Sequence, residues 1–119
     1  GVNSHTIIEI HPQILEKLND WASDKSNVTI IEGDWANLSL TDTYDGIFLD
    51  TFGDDNLDSF KTFALERIKS GGKITYWNNE PFENNKYAFD SISYEQINVT
   101  PDENLYFDNN VYYMPKVTA

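Results

Sequence analysis

The sequence predicts an α/β protein with a mostly parallel sheet, helices on its faces and an antiparallel hairpin at its C-terminal end. Three observations predict it. Short β-branched runs alternate with segments of helical period. The runs close on acidic or amide residues, at Glu9, Asp50 and Asn78, or on a glycine at Gly33. After Asn79 the character changes, and two strand patterns follow with little helix between them.

Thr6-Ile7-Ile8-Glu9-Ile10 is β-branched and is reset by His11-Pro12, so residues 5–10 read as a buried strand and its exit turn. Pro12 has the φ of a first helical position. Ile14, Leu15, Leu18, Trp21 and Ala22 recur on one face, with Glu16, Lys17, Asn19 and Asp20 on the other, which predicts an amphipathic helix over 12–23. Val28-Thr29-Ile30-Ile31-Glu32 repeats the strand pattern and stops at Gly33, completing a βαβ unit. Residues 44–50 form a third strand that ends on an acid, as the first does, and Thr51 to Asp55 make a loop. Phe60, Phe63, Ala64 and Ile68 line a helix that Ser70-Gly71-Gly72 should terminate, and residues 73–78 form the fourth strand. Ile92, Tyr94, Ile97 and Val99, then Val111 to Val117, read as the hairpin, and the phase slip between Tyr94 and Ile97 predicts a bulge. No repeat or linker divides the chain, so residues 1–119 are expected to form a single domain.

The chain has 119 residues, 39% of them apolar and 14% aromatic, enough for a core. Its net charge of −12, without a basic cluster, repels a phosphate backbone, so neither nucleic acid nor an anionic membrane is an expected partner. No apolar run approaches the roughly 20 residues that span a bilayer, and no signal peptide opens the chain, so a cytoplasmic location is expected. There is no cysteine, and His5 and His11 are too few for a histidine metal centre, so no metal is expected. His5 reads as a strand-edge residue and His11 as a helix N-cap. Asp54-Asp55-Asn56-Leu57-Asp58 begins like a calcium loop, but Ser59 stands where the glycine is needed and Leu65 where the glutamate belongs, so it reads as a solvated acidic turn. The triplets at Asn27, Asn37 and Asn98 fit the glycosylation pattern by chance in an asparagine-rich chain.

In open α/β sheets ligands bind outside the carboxyl ends of the strands, where Glu9, Gly33-Asp34-Trp35, Asp50 and Asn78 fall. The ordered series His5 to Pro12, Leu18 to Ala22, Glu32 to Trp35, Tyr44 to Phe52, Gly71-Gly72 and Thr75 to Asn78 resembles the class I S-adenosylmethionine-dependent methyltransferases. Within them it is most similar to guanidinoacetate N-methyltransferase and the relatives that methylate arginine. The likeness is good over residues 5–79, poor over 80–110, and returns at Tyr112-Tyr113 and Pro115-Lys116-Val117-Thr118.

The resemblance implies a truncated Rossmann-like core, S-adenosyl-L-methionine as cofactor, and a small guanidino compound or arginine as substrate. Glu9 would accept hydrogen bonds from the ribose hydroxyls, and Asp34 and Trp35 would contact the adenine, although an ordinary core role for Trp35 stands equally open. Asp50 would grip and orient the guanidinium, since a carboxylate accepts two parallel N–H bonds from that planar cation; the alternative is a cap on the following loop. Trp77 and Asn78, with Tyr76, would wall the substrate pocket, although core packing stands at least as open for Tyr76.

A class I methyltransferase also cradles the methionine end of its cofactor in a glycine-rich loop. Here glycines stand only at 1, 33, 46, 53, 71 and 72, and the chain opens at Gly1 without methionine, four residues before the first strand pattern. One expectation is therefore the C-terminal part of a guanidino N-methyltransferase, inactive as this chain alone. The other is a non-enzymatic α/β association module. Strands that read as covered on both faces, without the intervening first strand of the family, lead to the expectation of a homodimer.

Overall fold

β-branched runs and proline and glycine punctuation account for the elements seen in the computed structural model, which describes residues 1–51, 57–102, 104 and 110–119. These fall into two compact units, residues 1–40 and residues 41–119.

In the first unit, β1 (His5–Glu9) and β2 (Val28–Glu32) pair in parallel, from His5 opposite Val28 to Glu9 opposite Glu32. They are joined by helix α1 (Pro12–Ala22), whose first position is Pro12. Leu15 is its buried residue, and Leu18 and Ala22 are half-buried beside it. Ile14 and Trp21, expected on the same apolar face, are 46% and 47% exposed. Lys25 covers Trp21, its Nζ 4.6 Å from the ring and bonded to the Trp21 carbonyl at 2.7 Å.

In the second unit, β3 (Tyr44–Leu49), α2 (Leu57–Arg67) and β4 (Ile68–Tyr76) make another strand–helix–strand unit, followed by β5 (Ile92–Asn98) and β6 (Val111–Thr118). The sheet order is β3-β4-β6-β5, with β3 parallel to β4 and β6 antiparallel to both β4 and β5. Phe60 and Ala64 are buried in α2. Phe60 meets Tyr87 edge-on at 4.9 Å between ring centroids, and Tyr87 meets Tyr76 at 4.7 Å, so an aromatic cluster forms this core.

Two local expectations are corrected. The helix stops at Arg67 rather than at the glycine pair, and Ile68 already pairs with Tyr44 as the start of β4. The two strands then lose register between Tyr44 and Gly46, which pairs with Lys73, so β4 takes up extra residues in an irregular stretch here. Gly71 takes the positive φ of +78° within it, and a Cβ on Gly72 would come within 2.9 Å of the Asp45 carbonyl oxygen. The expected bulge near Tyr94 is absent. Pairing of β5 with β6 runs unbroken from Ile92 opposite Val117 to Asn98 opposite Val111, and Ile97 simply faces outward, 39% exposed. The acidic turn and loop expected over residues 51–58 lie largely outside the described residues, as do Phe52 and Gly53. Among the described residues no helix is long and apolar enough to cross a membrane.

Candidate functional site

The parallel pairing of β1 and β2 brings Glu9 and Glu32 to the same carboxyl edge of the first unit. The Gly33 amide donates to the Glu9 carbonyl at 3.0 Å and carries the ladder one step further. At Gly33, where φ is +153°, a Cβ would come 2.9 Å from Leu38 Cδ2, so this turn holds Asp34 and Trp35 close to the strand ends.

The Glu9 side chain folds back on its own exit turn. Its Oε1 accepts from the amides of Ile10 at 3.0 Å and His11 at 2.8 Å, which fixes the carboxylate at the entrance to α1 while Oε2 takes no part in either bond. His11 occupies the N-cap position, as expected, but its imidazole makes no capping bond. Asp34 caps the short 3₁₀ turn Trp35–Asn37: Oδ1 accepts from the Ala36 amide and Oδ2 from Asn37 Nδ2, both at 3.0 Å. Trp35 is half-buried at the start of that turn.

In the second unit β3 and β4 end in the same way. Leu49 pairs with Tyr76, and the Trp77 amide donates to the Leu49 carbonyl at 2.9 Å, so Asp50 and Trp77 leave the sheet on adjoining strands. Asp50 is exposed and Trp77 is 38% exposed. The Trp77 ring lies against Tyr112, with centroids 5.2 Å apart.

Asn78 is completely buried. Its Nδ2 donates to the carbonyls of Phe82 and Tyr113, both at 2.9 Å, and its Oδ1 accepts from the Glu80 amide at 3.2 Å. It therefore fastens the chain after β4 to β6. Tyr76, with its hydroxyl donating to the Asn84 carbonyl at 2.7 Å, ties down the same segment from the buried face. Burial, reinforced by the neighbouring Tyr94 hydroxyl, pushes the Tyr76 phenol well above its ordinary pKa.

The six residues singled out from the sequence thus fall into two sets, Glu9 with Asp34 and Trp35 in the first unit, and Asp50 with Trp77 and Asn78 in the second. The supporting segment 80–90 was not legible as part of a site. Lys86 donates to the Trp77 carbonyl at 3.2 Å, and Tyr87 and Phe89 enter the core, for which the alternating aromatic pair was the available signal. Among the described residues no cluster of three acidic or histidine side chains could hold a metal ion.

The family model described as guanidinoacetate N-methyltransferase matches residues 1–100. Protein arginine N-methyltransferase 2 of Saccharomyces cerevisiae is 30% identical over 96% of this chain and 35% of its own length. The protein of that name from Candida glabrata is 41% identical over 62% of this chain and 20% of its own length. The chain accordingly spans about a fifth to a third of these curated relatives. Among solved structures, N-methyltransferase NodS from Bradyrhizobium japonicum WM9 superposes with a TM-score of 0.72 over 95% of this chain and 71% of its own, at 9% identity. Precorrin-6y C5,15-methyltransferase from Geobacter metallireducens GS-15 gives 0.68 over 94% and 65%, at 20% identity. These two likenesses establish the Rossmann-like fold. Together with the family match across residues 1–100, they establish that the chain belongs to the guanidinoacetate N-methyltransferase family of class I S-adenosylmethionine-dependent methyltransferases.

Proposed function

We propose that the chain is the C-terminal part of an S-adenosyl-L-methionine-dependent N-methyltransferase acting on a guanidino group, of guanidinoacetate or arginine type, and that alone it is inactive. Both units belong, in this reading, to one partial methyltransferase-like domain. The observation that carries it is the placement of an exposed carboxylate, Asp50, at the carboxyl end of a parallel strand beside Trp77, in a chain of this family.

The residues present fit the adenosine end of the cofactor better than its methionine end. Glu9 keeps an oxygen outside its two backbone bonds, and an acceptor of that kind suits a ribose hydroxyl. Asp34 and Trp35 supply an acceptor and a ring for the adenine. For the methionine end no Gly-x-Gly segment occurs among the 119 residues. When bound, S-adenosyl-L-methionine supplies an electrophilic methyl group on a sulfonium. Asp50 accepts two N–H bonds from the guanidinium, orients the attacking nitrogen and offsets its positive charge, while Trp77 and Asn78 wall the substrate, the second by anchoring the backbone beside it.

The test is methyl transfer to guanidinoacetate and to free and peptide-borne arginine, by this chain and by a longer protein carrying the preceding coding sequence. Transfer by the longer protein alone is expected. Turnover by the short chain would overturn its proposed inactivity, and transfer to none of the three acceptors would overturn the guanidino assignment.

A second reading is a non-enzymatic association module that self-pairs as a homodimer. Phe48, in the middle of an apolar strand run, is 57% exposed, and Ile10 is 63% exposed, an arrangement that favours association. Such a dimer should bury on the order of 1,200 to 2,000 Å² in total. Light scattering at tens of micromolar decides it, a monodisperse monomer being the outcome that removes this reading.

A further inference from the structure

Trp77 is held from three sides. Its amide donates to the Leu49 carbonyl at 2.9 Å, its carbonyl accepts from Lys86 Nζ at 3.2 Å, and its ring rests against Tyr112 with the planes 40° apart. The contact with Tyr112 gives the direction of the indole. Leu49 and Tyr76 are paired and buried, so Asp50 and Trp77, the residues that follow them, leave the sheet with adjoining backbones, and the indole leans toward Tyr112 on β6. There Trp77 stays 38% exposed, a large fixed aromatic surface one strand over from the exposed carboxylate of Asp50.

A guanidinium has two recognition surfaces at right angles, an edge of parallel N–H donors and a flat face. A carboxylate takes the edge and an aromatic ring takes the face, and both can act at once on the same cation. A primary ammonium carries the same charge but has no flat face and holds its water more tightly, so it gains from the ring only as a point charge. The geometry points to Trp77 as a specificity-determining residue, whose indole selects a planar guanidinium over an ammonium at the Asp50 carboxylate. This rests on the reading of Asp50 as the partner of the guanidinium edge, and it adds what that reading lacks, a reason for discrimination between cations of equal charge.

The experiment titrates the isotope-labelled chain with methylguanidinium chloride and, separately, with methylammonium chloride, following the backbone amides of Thr51 and Trp77 by NMR. Methylguanidinium should saturate at about a tenfold lower concentration, and its methyl protons should show contacts to the Trp77 indole protons. Trp77→Leu should bring the two cations within about twofold of each other, and Trp77→Phe should keep an intermediate preference. Equal binding of the two cations by the unaltered chain, or no contact between methyl and indole protons, overturns the inference without needing any variant. If Asp50→Asn abolishes binding of both cations while Trp77→Leu leaves their ratio unchanged, the indole has no selective role and the Asp50 reading survives. If Asp50→Asn changes nothing, the reading beneath the inference fails and the inference fails with it.

Discussion

The Trp77 amide and the Leu49 carbonyl, 2.9 Å apart, form the hydrogen bond that lies one residue before Asp50. That bond makes the position of the Asp50 backbone a property of the β3–β4 pairing rather than of the loop that follows. Changes that loosen the end of β4 should therefore be felt at Asp50, and the residue that secures this end most heavily is Asn78.

Asn78→Ala removes three hydrogen bonds and leaves the Phe82 and Tyr113 carbonyls without that partner in a part-buried setting. At about 1 kcal/mol for each bond, with an added cost for unmet part-buried groups, a loss of about 2–4 kcal/mol is expected. Asn78→Asp should be worse, because it sets an anion against two carbonyl oxygens. Urea denaturation followed by tryptophan fluorescence measures both; a change under 1 kcal/mol for the alanine variant would show that the network contributes little.

The two glycines at the start of β4 should respond for different reasons. A Cβ at Gly72 meets the Asp45 carbonyl oxygen at 2.9 Å and Ile68 Cδ1 at 2.7 Å, and the backbone oxygen cannot easily move aside. Gly72→Ala should cost about 1–3 kcal/mol through this overpacking. At Gly71 a Cβ would meet nothing within 4 Å, so Gly71→Ala carries only the penalty of its φ of +78°, about 1–2 kcal/mol. A double variant whose loss is far from the sum would show that the two sites share one distortion.

Alkaline pH should destabilise the second unit through Tyr76. Its phenol is raised by burial above the value of 10.0 that it has when free, so the folded state holds the proton more tightly than the unfolded chain. The stability this gives is fully present below pH 10 and is lost as the pH rises from there toward the higher folded value. Tyr94 shifts in the same direction, again chiefly by burial, and adds to the effect. Denaturation midpoints from pH 8 to 11.5 should fall above about 10, and Tyr76→Phe should flatten that fall; an unchanged slope in the variant would assign it to other groups.

Which parts of this fold could be read from the sequence depends on how local their causes are. β1, β2 and α1 were legible because Thr6 to Glu9, Val28 to Glu32 and Pro12 carry their own strand and helix signals. The end of α2 was not. Ile68 keeps helical spacing with Ala64, yet it pairs with Tyr44, a partner 24 positions away that no local pattern reveals. The strand-end placement of Asp50 and Trp77 followed from the alternation of elements. The burial of Asn78 did not, because its bond to the Tyr113 carbonyl crosses to β6.

Cofactor affinity tests the division between the two ends of S-adenosyl-L-methionine. With acceptors for the adenosine end and no glycine-rich segment in these 119 residues, this chain should bind no tighter than roughly millimolar, a free energy of about 4 kcal/mol. Micromolar binding in a calorimeter would mean that another part of the chain holds the methionine end.

The two strand-end acids should separate cofactor from substrate in a longer, active protein. Glu9 has one oxygen anchored by the Ile10 and His11 amides. In Glu9→Gln the amide oxygen can keep that anchor, which places an NH₂ where the ribose hydroxyl requires an acceptor. Cofactor affinity should drop about 10- to 100-fold, the equivalent of a charge-assisted bond of about 1.5–3 kcal/mol, while the KM for the guanidino substrate stays nearly constant. Asp50→Asn replaces one of two acceptors with a donor that faces the guanidinium N–H groups and removes the compensating charge. It should raise the substrate KM and lower kcat by at least as much, while cofactor binding measured directly is unchanged. The pairing in both units supports the division, since Glu9 and Asp50 close different parallel strand pairs. Equal effects of both substitutions on both ligands would undo the assignment of one acid to each.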